Sequence, residues 1–416
     1  MSRHIHQKIF AALTLLLLLF SASAFGASFC SPDGLQASGS IYRICMPPAE
    51  MYNGKLVVFA HGFQDANTPV QIPEEQLQIG EQSLPELVNG LGYGFATNSF
   101  SKTGLAVRQG AEDILDLVKL FAAEQGTPSQ IFLTGASEGG VITALLTEQH
   151  PEIFNGGMAL CGPVGDFPFQ MTYFGDARVT FEYFFPGLIP GDPFHPSQAL
   201  IDNWSEYYAL VVEPLIFAPE NKNRLDQWVK VARLPFDVNN YINTLRISAN
   251  DVLNYAVVNL NDASATLGGF PFDNQSRWYT GSNNDLLLNL LVPRVAADEA
   301  AIREMKAFYN TSGTLSVPLI TMHTTLDQQI PYVHEKMYSL KTILTGSFLT
   351  RHLNIPIDRF EHCNFTTGEL LFAFGMLLQY VGTGEQLQDV GSILQGEALT
   401  TFSTLADKYG LNYRMD

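Results

Sequence analysis

The stretch IFLTGASEGGVITALL, residues 131–146, places Ser137 between two glycines where an apolar run changes into a helical pattern. A strand, a tight turn and a helix are the surroundings that a nucleophilic serine requires in a G-x-S-x-G motif. Gly135 and Gly139 allow the backbone to turn sharply, and the positive end of the following helix lies beside the hydroxyl. The same glycines could serve only close packing of helix against strand, so the motif alone leaves both interpretations open.

The rest of the chain supplies a context for this turn. Short apolar runs alternate with longer helical patterns, which predicts an α/β fold with a mostly parallel sheet covered by helices. The predicted strands are 40–46, 55–61, 94–100, 131–136, 156–161, 318–324 and 347–355, and the predicted helices are 107–125, 138–149 and 366–381. From 166 to 315 the alternation stops, and aromatic residues and prolines crowd the sequence. We expect a mainly helical lid inserted between two strands, with an independent second domain as the alternative.

The first 24 residues have the pattern of a secretory signal peptide. Arg3 and Lys8 precede an apolar run from Ile9 to Phe20, and Ala22 and Ala24 fit a cleavage site. The run is too short to span a bilayer, although a short membrane anchor is the alternative. We therefore expect a secreted or periplasmic protein divided into a signal peptide (1–24), a core in two parts (25–165 and 316–416) and a lid (166–315).

The charge of the chain excludes some partners, and its cysteine content predicts disulfides. The chain has 23 Lys and Arg against 41 Asp and Glu, and loss of Arg3 and Lys8 with the signal peptide makes the balance more negative. An acidic chain lacks the electrostatic footprint that nucleic acid or anionic lipid requires. Four cysteines in an exported chain predict two disulfides, with Cys30–Cys45 close in sequence and Cys161–Cys363 remaining. A buried free thiol at Cys161 is the alternative.

Three further motifs accompany the serine turn. They are FAHGF at 59–63, HTTLDQQIP at 323–331 and EHCNFT at 361–366. With GASEGG at 135–140, they make the chain resemble the α/β-hydrolase superfamily over about 40–165 and 316–385, most closely secreted bacterial esterase-type members with a large insertion. The resemblance implies a mostly parallel central sheet flanked by helices, with the lid inserted after the sixth strand.

The resemblance also implies the roles of three side chains. Ser137 is the nucleophile, Asp327 follows a late strand as the acid, and His362 lies in the last catalytic loop as the base. Asp166, after the preceding strand, is the rival acid. The rival bases are His323, within a strand, His334, at the start of a helix, and His352, in the last predicted strand.

The remaining elements of the site follow the same pattern. The family's oxyanion hole corresponds to the backbone amides of Phe63 and Glu138, and we expect His61 to shape this loop rather than act as the base. A Cys161–Cys363 disulfide would hold the His362 loop against the sheet. No metal or cofactor is required by this chemistry.

The predicted function is hydrolysis of a carboxylic ester, small or polymeric, through an acyl-enzyme on Ser137. A serine peptidase of the same fold is the alternative, although the spacing of Glu182, Glu206 and Glu213 does not single out a group that would bind a substrate amine. A catalytically inactive binding protein is a third hypothesis. Some aromatic residues of the lid are expected to face substrate, with the candidates Phe167, Phe169, Tyr173 and Phe184. No membrane span is expected after signal cleavage, and the sequence leaves the oligomeric state open.

Overall fold

The computed structural model describes residues 29–415 except 81, 383, 385 and 389. The predicted signal peptide at 1–24 therefore lies outside the described residues. The strands, in chain order, are β1 Phe29–Cys30, β2 Gly34–Leu35, β3 Ile41–Met46, β4 Lys55–Ala60, β5 Gln78–Ile79, β6 Gln82–Ser83, β7 Gly94–Asn98, β8 Gln130–Ala136, β9 Gly156–Leu160, β10 Leu319–Leu326 and β11 His352–Phe360.

The main sheet has the strand order β1-β3-β7-β4-β8-β9-β10-β11, and β2 also pairs with β3. β3 runs antiparallel to β7, whereas the pairs from β7 to β11 are all parallel. The central strands β7 and β9 are buried along their whole length, as expected for parallel strands covered on both faces. β5 and β6 form a separate hairpin.

Helices cover both faces of the sheet and fill the long segment between β9 and β10. In chain order they are α1 Leu84–Gly90, α2 Val107–Gln125, α3 Glu138–Gln149, α4 Phe167–Phe184, α5 Gln198–Asp202, α6 Trp204–Tyr207, α7 Glu213–Ile216, α8 Lys222–Ala232, α9 Tyr241–Asn254, α10 Leu260–Leu267, α11 Asp285–Leu291, α12 Glu299–Phe308, α13 Val333–Thr345, α14 Phe348–Arg351, α15 Thr367–Val381, α16 Val390–Ile393 and α17 Gly396–Tyr409. Within the part of the chain that the structure describes, no helix combines the length and apolar character needed to cross a membrane.

The two faces of the sheet belong to different hydrophobic cores. On one face, Val58 and Leu133 pack with α2, α3 and the helices of the 166–315 segment. On the other face, Val57, Phe132 and Met158 pack with α1, α15 and α17. Because side chains alternate along a strand, neighbouring residues of β4 contribute to opposite cores.

One predicted strand is displaced. The prediction 347–355 was partly wrong, because residues 348–351 form α14 and the strand runs from His352 to Phe360. The strand passes through Pro356, which lies opposite His323 of β10. β11 is the edge strand of the sheet, where a proline without an N–H breaks no interior ladder.

Candidate active site

The turn between β8 and α3 holds Ser137 in a backbone conformation that is uncommon outside glycine, with φ 58° and ψ −118°. The Ser137 amide donates to the carbonyl of Leu160 at 2.9 Å, which ties the turn to β9. A Cβ atom on Gly139 would lie 1.9 Å from the carbonyl oxygen of Ala60. This glycine is therefore required by close approach of two backbones, and the result is a serine projecting from the carboxyl edge of the sheet.

The structure brings Ser137, His362 and Asp327 together in one hydrogen-bonded chain. The Ser137 hydroxyl donates to Nε2 of His362 over 2.9 Å, and Nδ1 of His362 donates to Oδ2 of Asp327 over 2.6 Å. The three residues follow β8, β11 and β10, so they meet at the carboxyl ends of parallel strands. This arrangement allows the imidazole to accept the serine proton while the carboxylate fixes its tautomer.

Asp327 is fully buried and saturated with donors. Its Oδ1 accepts the amides of Gln329 at 2.9 Å and Ile330 at 2.8 Å, and its Oδ2 also lies 3.2 Å from Nε2 of His323. Burial alone would raise the pKa of Asp327, but the charge of His362 and the hydrogen bonds from His323 and His362 hold this pKa well below its usual range. The carboxyl group of Asp327 therefore stays ionised at neutral pH.

The rival candidates lie in other environments. Asp166 is the N-cap of α4, where it accepts the amide of Phe169 at 3.2 Å. His334 Nε2 lies 2.9 Å from Oε1 of Gln170, and burial lowers the pKa of His334 to about 3. His352 lies between the hydroxyls of Thr321 and Thr342, at 3.1 and 3.2 Å, and burial lowers its pKa to about 4.

The loop after β4 lies directly against the serine. A Cβ atom on Gly62 would be 3.1 Å from Cβ of Ser137, and Phe63 lines the space beside it. The His61 ring stacks on Phe100 with centroids 3.8 Å apart, and burial lowers its pKa to about 4, so the ring is neutral. These contacts give His61 the environment of a residue that supports the loop.

Gln76 holds this loop, and sequence reasoning missed it. It lies in the 3-10 turn Glu74–Leu77. Its Oε1 accepts the Gly62 amide at 2.6 Å, and its Nε2 donates to the Phe63 carbonyl at 3.4 Å. No motif surrounds this glutamine in the sequence, so only the contact itself reveals it.

Glu138 begins α3, and an amide in the first turn of a helix has no intrahelical acceptor. Its side chain turns away to accept the amide of Ala106 at 2.6 Å. Burial raises the pKa of Glu138 to about 8. The amide is thus available beside Ser137, while the carboxyl group is engaged elsewhere.

Both predicted disulfides are present. Cys30 is bonded to Cys45 across β1 and β3, and Cys161, directly after β9, is bonded to Cys363. Sγ of Cys363 lies 3.4 Å from Nε2 of His362. The bridge therefore fixes the residue next to the imidazole to a central strand, and its two sulfurs are not available as thiolate ligands for a metal.

Two cavities adjoin Ser137 on opposite sides. The larger, of about 540 Å³, extends between the sheet and the helices α1 and α15. The smaller, of about 70 Å³, lies on the side of the 166–315 segment. Tyr255 lines both. It begins a π-helical turn, Tyr255–Asn259, between α9 and α10, and such turns occur often at functional sites.

The structure places the four aromatic residues expected to face substrate in different environments. Phe167 lines the smaller cavity. Phe169 packs edge-on against His334, Tyr173 donates to the carbonyl of Gln328, and Phe184 is part of the core. Phe174, which the sequence did not single out, lines the smaller cavity and stacks on Tyr255 with centroids 4.8 Å apart.

The order and direction of the strands, the turn that holds Ser137 and its hydrogen-bonded contact with His362 and Asp327 define the chain as an α/β-hydrolase, as the sequence resemblance predicted. The chain is thus a serine hydrolase of this fold. Residues 88–181, from α1 to α4, match the prolyl oligopeptidase family.

Several solved structures are similar at low identity. An esterase from Aspergillus oryzae is 13% identical with a TM-score of 0.49, over 86% of this chain and 80% of that chain. Lipase A from Candida antarctica is 15% identical with a TM-score of 0.42, over 91% and 86%. The acylaminoacyl peptidase of Pyrococcus horikoshii is 12% identical with a TM-score of 0.43, over 89% of this chain; the chain spans only 44% of that peptidase. No curated protein sequence matches the chain.

Proposed function

We propose that the protein is a secreted serine hydrolase that cleaves carboxylic esters through an acyl-enzyme on Ser137. The observation that carries this proposal is the continuous hydrogen-bonded chain from Ser137 through His362 to Asp327, at the mouth of a mostly apolar cavity. None of the described residues that line this cavity is Asp, Glu, Lys or Arg. Such a surface suits an uncharged, apolar ester better than a substrate recognised through a charge.

The reaction follows from the positions of the atoms. Oγ of Ser137 attacks the ester carbonyl carbon as its proton passes to Nε2 of His362, and the carbonyl oxygen takes the negative charge. The amides of Phe63 and Glu138 are assigned to stabilise that charge. The carbon–oxygen bond to the alcohol then breaks, and the imidazolium returns the proton to the leaving oxygen. Water, deprotonated by the same imidazole, attacks the acyl-enzyme and releases the acid and free Ser137.

The 166–315 segment is assigned as a lid over this site. Gln328 and Gln329, next to Asp327, both donate to Oδ2 of Asp251 at 2.9 Å. The hydroxyl of Tyr255 donates to Oε1 of Gln329 at 3.1 Å. These bonds link helix α9 and its π-helical continuation to the loop that carries Asp327. They support the assignment of this segment as a lid packed over the site.

Export is supported by the cysteines. Both pairs are bonded, and disulfides persist in oxidising compartments such as the periplasm or the exterior. The signal pattern of residues 1–24 agrees with this location. A mass measurement of the purified exported protein that began at residue 25 would support the assignment, and retention of the first 24 residues would contradict it.

A serine peptidase is the second candidate, favoured by the match of residues 88–181 to the prolyl oligopeptidase family. Hydrolysis of p-nitrophenyl butyrate is compared with cleavage of aminoacyl-naphthylamides. If the protein is an ester hydrolase, it should turn over p-nitrophenyl butyrate. This turnover should be abolished in Ser137→Ala but retained in Ser205→Ala, a substitution of an exposed serine of α6. Cleavage of the amides with negligible ester turnover would assign the peptidase instead. Failure of a fluorophosphonate to label Ser137 in folded protein would reject both.

A further inference from the structure

The larger cavity penetrates the interior rather than the interface with the 166–315 segment. Its wall on the sheet is formed by alternate residues of three adjacent strands, namely Val57 and Phe59 of β4, Thr134 and Ala136 of β8, and Met158 and Leu160 of β9. The opposite wall is formed by α1 and α15, with Leu87, Val88, Leu371 and Phe374. The cavity therefore lies within the core that faces away from α3.

The depth of the cavity follows from the strand register. Val57 pairs with Phe132, and Ser137 is five residues further along that strand and its turn. At ~3.3 Å per residue, the cavity extends about 16 Å from the serine toward the amino ends of the strands. At that depth Tyr93 and Phe374 meet edge-on, with centroids 5.4 Å apart, and both rings line the cavity.

The lining becomes less polar along this path, although the phenol of Tyr93 is a polar group at the deep end. His362, Asn364 and Gln329 lie with Ser137 at the mouth, whereas Val88, Leu91 and Val57 lie at depth. Val88 is at the deep end because its carbonyl accepts the amide of Tyr93, the residue just before β7. A ligand whose reactive carbonyl is held at Ser137 would thus extend an apolar group into increasingly apolar surroundings.

The two cavities differ in capacity. The smaller one, at about 70 Å³, is roughly an eighth of the larger and is bounded by Phe167, Met171 and Phe174. An ester bound between them can place one large group on the side of α1 and α15 and only a small group on the other side.

On the basis of the proposed ester hydrolysis, we infer that the substrate carries a long apolar chain, which is bound between the sheet and helices α1 and α15. The 166–315 segment then covers the reacting carbonyl and holds the smaller group. Chain-length preference depends on α1 and α15, and not on the aromatic residues of α4.

The test measures kcat/KM for p-nitrophenyl acetate, butyrate, octanoate and dodecanoate, and for acetates of alcohols of increasing length. The first series lengthens the acyl group and the second lengthens the alcohol. In the wild type, kcat/KM is expected to rise by up to about fourfold per buried methylene along one series. The series in which kcat/KM rises shows whether the acyl group or the alcohol of the ester occupies the cavity.

Val88→Trp fills the deep end of the cavity. It is expected to lower kcat/KM for the long esters of that series, relative to kcat/KM for the acetate, by at least about tenfold. Leu371→Phe, on the opposite wall, tests the same point if Val88→Trp does not fold. Glu86→Trp, on the exposed side of α1, is the matched control and should leave the profile unchanged.

Two results would overturn the inference. One is acetate turnover with no gain along either series, and the other is an equal loss for short and long esters in both cavity variants that fold. Either leaves the proposed ester hydrolysis intact. Absence of turnover of every ester, with no labelling of Ser137, would instead refute the proposed function itself.

Discussion

Nδ1 of His323 lies 3.2 Å from Oε1 of Glu335, and both side chains are almost completely buried, at 0% and 1% exposure. The other ring nitrogen of His323 faces the carbonyl of Ile330 at 2.9 Å and Oδ2 of Asp327 at 3.2 Å. Because both nitrogens face acceptors, the ring can donate a hydrogen bond from each of them only as an imidazolium. A buried cation thus lies directly behind Asp327.

Replacement of Glu335 by alanine should strongly destabilise the protein. It would leave the His323 imidazolium with one buried partner fewer, and breaking a buried ion pair in this way costs about 3–5 kcal/mol. The free energy of unfolding in urea at neutral pH measures the loss. Lys336→Ala, an exposed neighbour on α13, should change it by less than about 0.5 kcal/mol. Equal effects of the two substitutions would contradict the ion pair.

Stability should fall as the pH rises above neutrality. Burial alone would lower the pKa of His323, but hydrogen bonds to Asp327 and Glu335 outweigh it and raise the pKa from 6.5 to about 10. Below pH 6.5 the imidazole is protonated in both folded and unfolded chains, so its contribution is complete. Between 6.5 and 10 only the folded chain retains the proton, and the contribution declines by up to about 1.4 kcal/mol per pH unit.

Urea unfolding of the wild type and His323→Gln at a series of pH values checks this dependence. The stability difference between the two proteins should be largest at pH 6.5 and below and should shrink toward pH 10. A difference that is constant over this range would show that His323 does not titrate as described.

Removal of the Cys161–Cys363 disulfide should lower both stability and activity. The double variant Cys161→Ala/Cys363→Ala loses a cross-link over 202 residues, with an expected cost of about 2–5 kcal/mol, and frees the loop of His362. We expect kcat/KM for p-nitrophenyl butyrate to fall in folded protein. Cys30→Ala/Cys45→Ala is the control, because it should lower stability with kcat/KM unchanged. Unchanged activity in the Cys161→Ala/Cys363→Ala variant would show that the bridge stabilises the fold but does not position His362.

Gln76→Ala should impair the chemical step. The side chain contacts both Gly62 and Phe63, so its loss releases the loop that carries one assigned oxyanion donor. Since loss of a whole donor costs about 10²–10³ in kcat, a displaced donor should cost about tenfold or more, with KM changed little. Glu75→Ala, exposed in the same turn, should leave kcat unchanged. A rise in KM alone would show that Gln76 only binds substrate.

Much of this architecture is accessible from the sequence because it depends on local patterns. Continuous apolar runs predicted β4, β8 and β9, and the glycines around Ser137 predicted the turn. The motifs around Asp327 and His362 identified two residues that the structure places in contact. Each of these signals is carried by residues adjacent in the chain.

What the sequence did not reveal depends on contacts between distant segments. Gln76 supports the loop of Phe63 only because a short turn folds back over β4. His323 was correctly placed in a strand, but its contact with Glu335 requires α13 to return along β10. The larger cavity is formed by strands and helices as far apart in the chain as Val57 and Phe374, so no stretch of aromatic residues indicated it.

The central sheet separates the long cavity from most of the 166–315 segment, and among the described residues that line the cavity only Tyr255 comes from that segment. If the long chain of the substrate occupies this cavity, the residues that select its length and the segment assigned as a lid lie on opposite faces of the sheet. Redesign of the cavity walls is then expected to change chain-length preference without any change to the 166–315 segment.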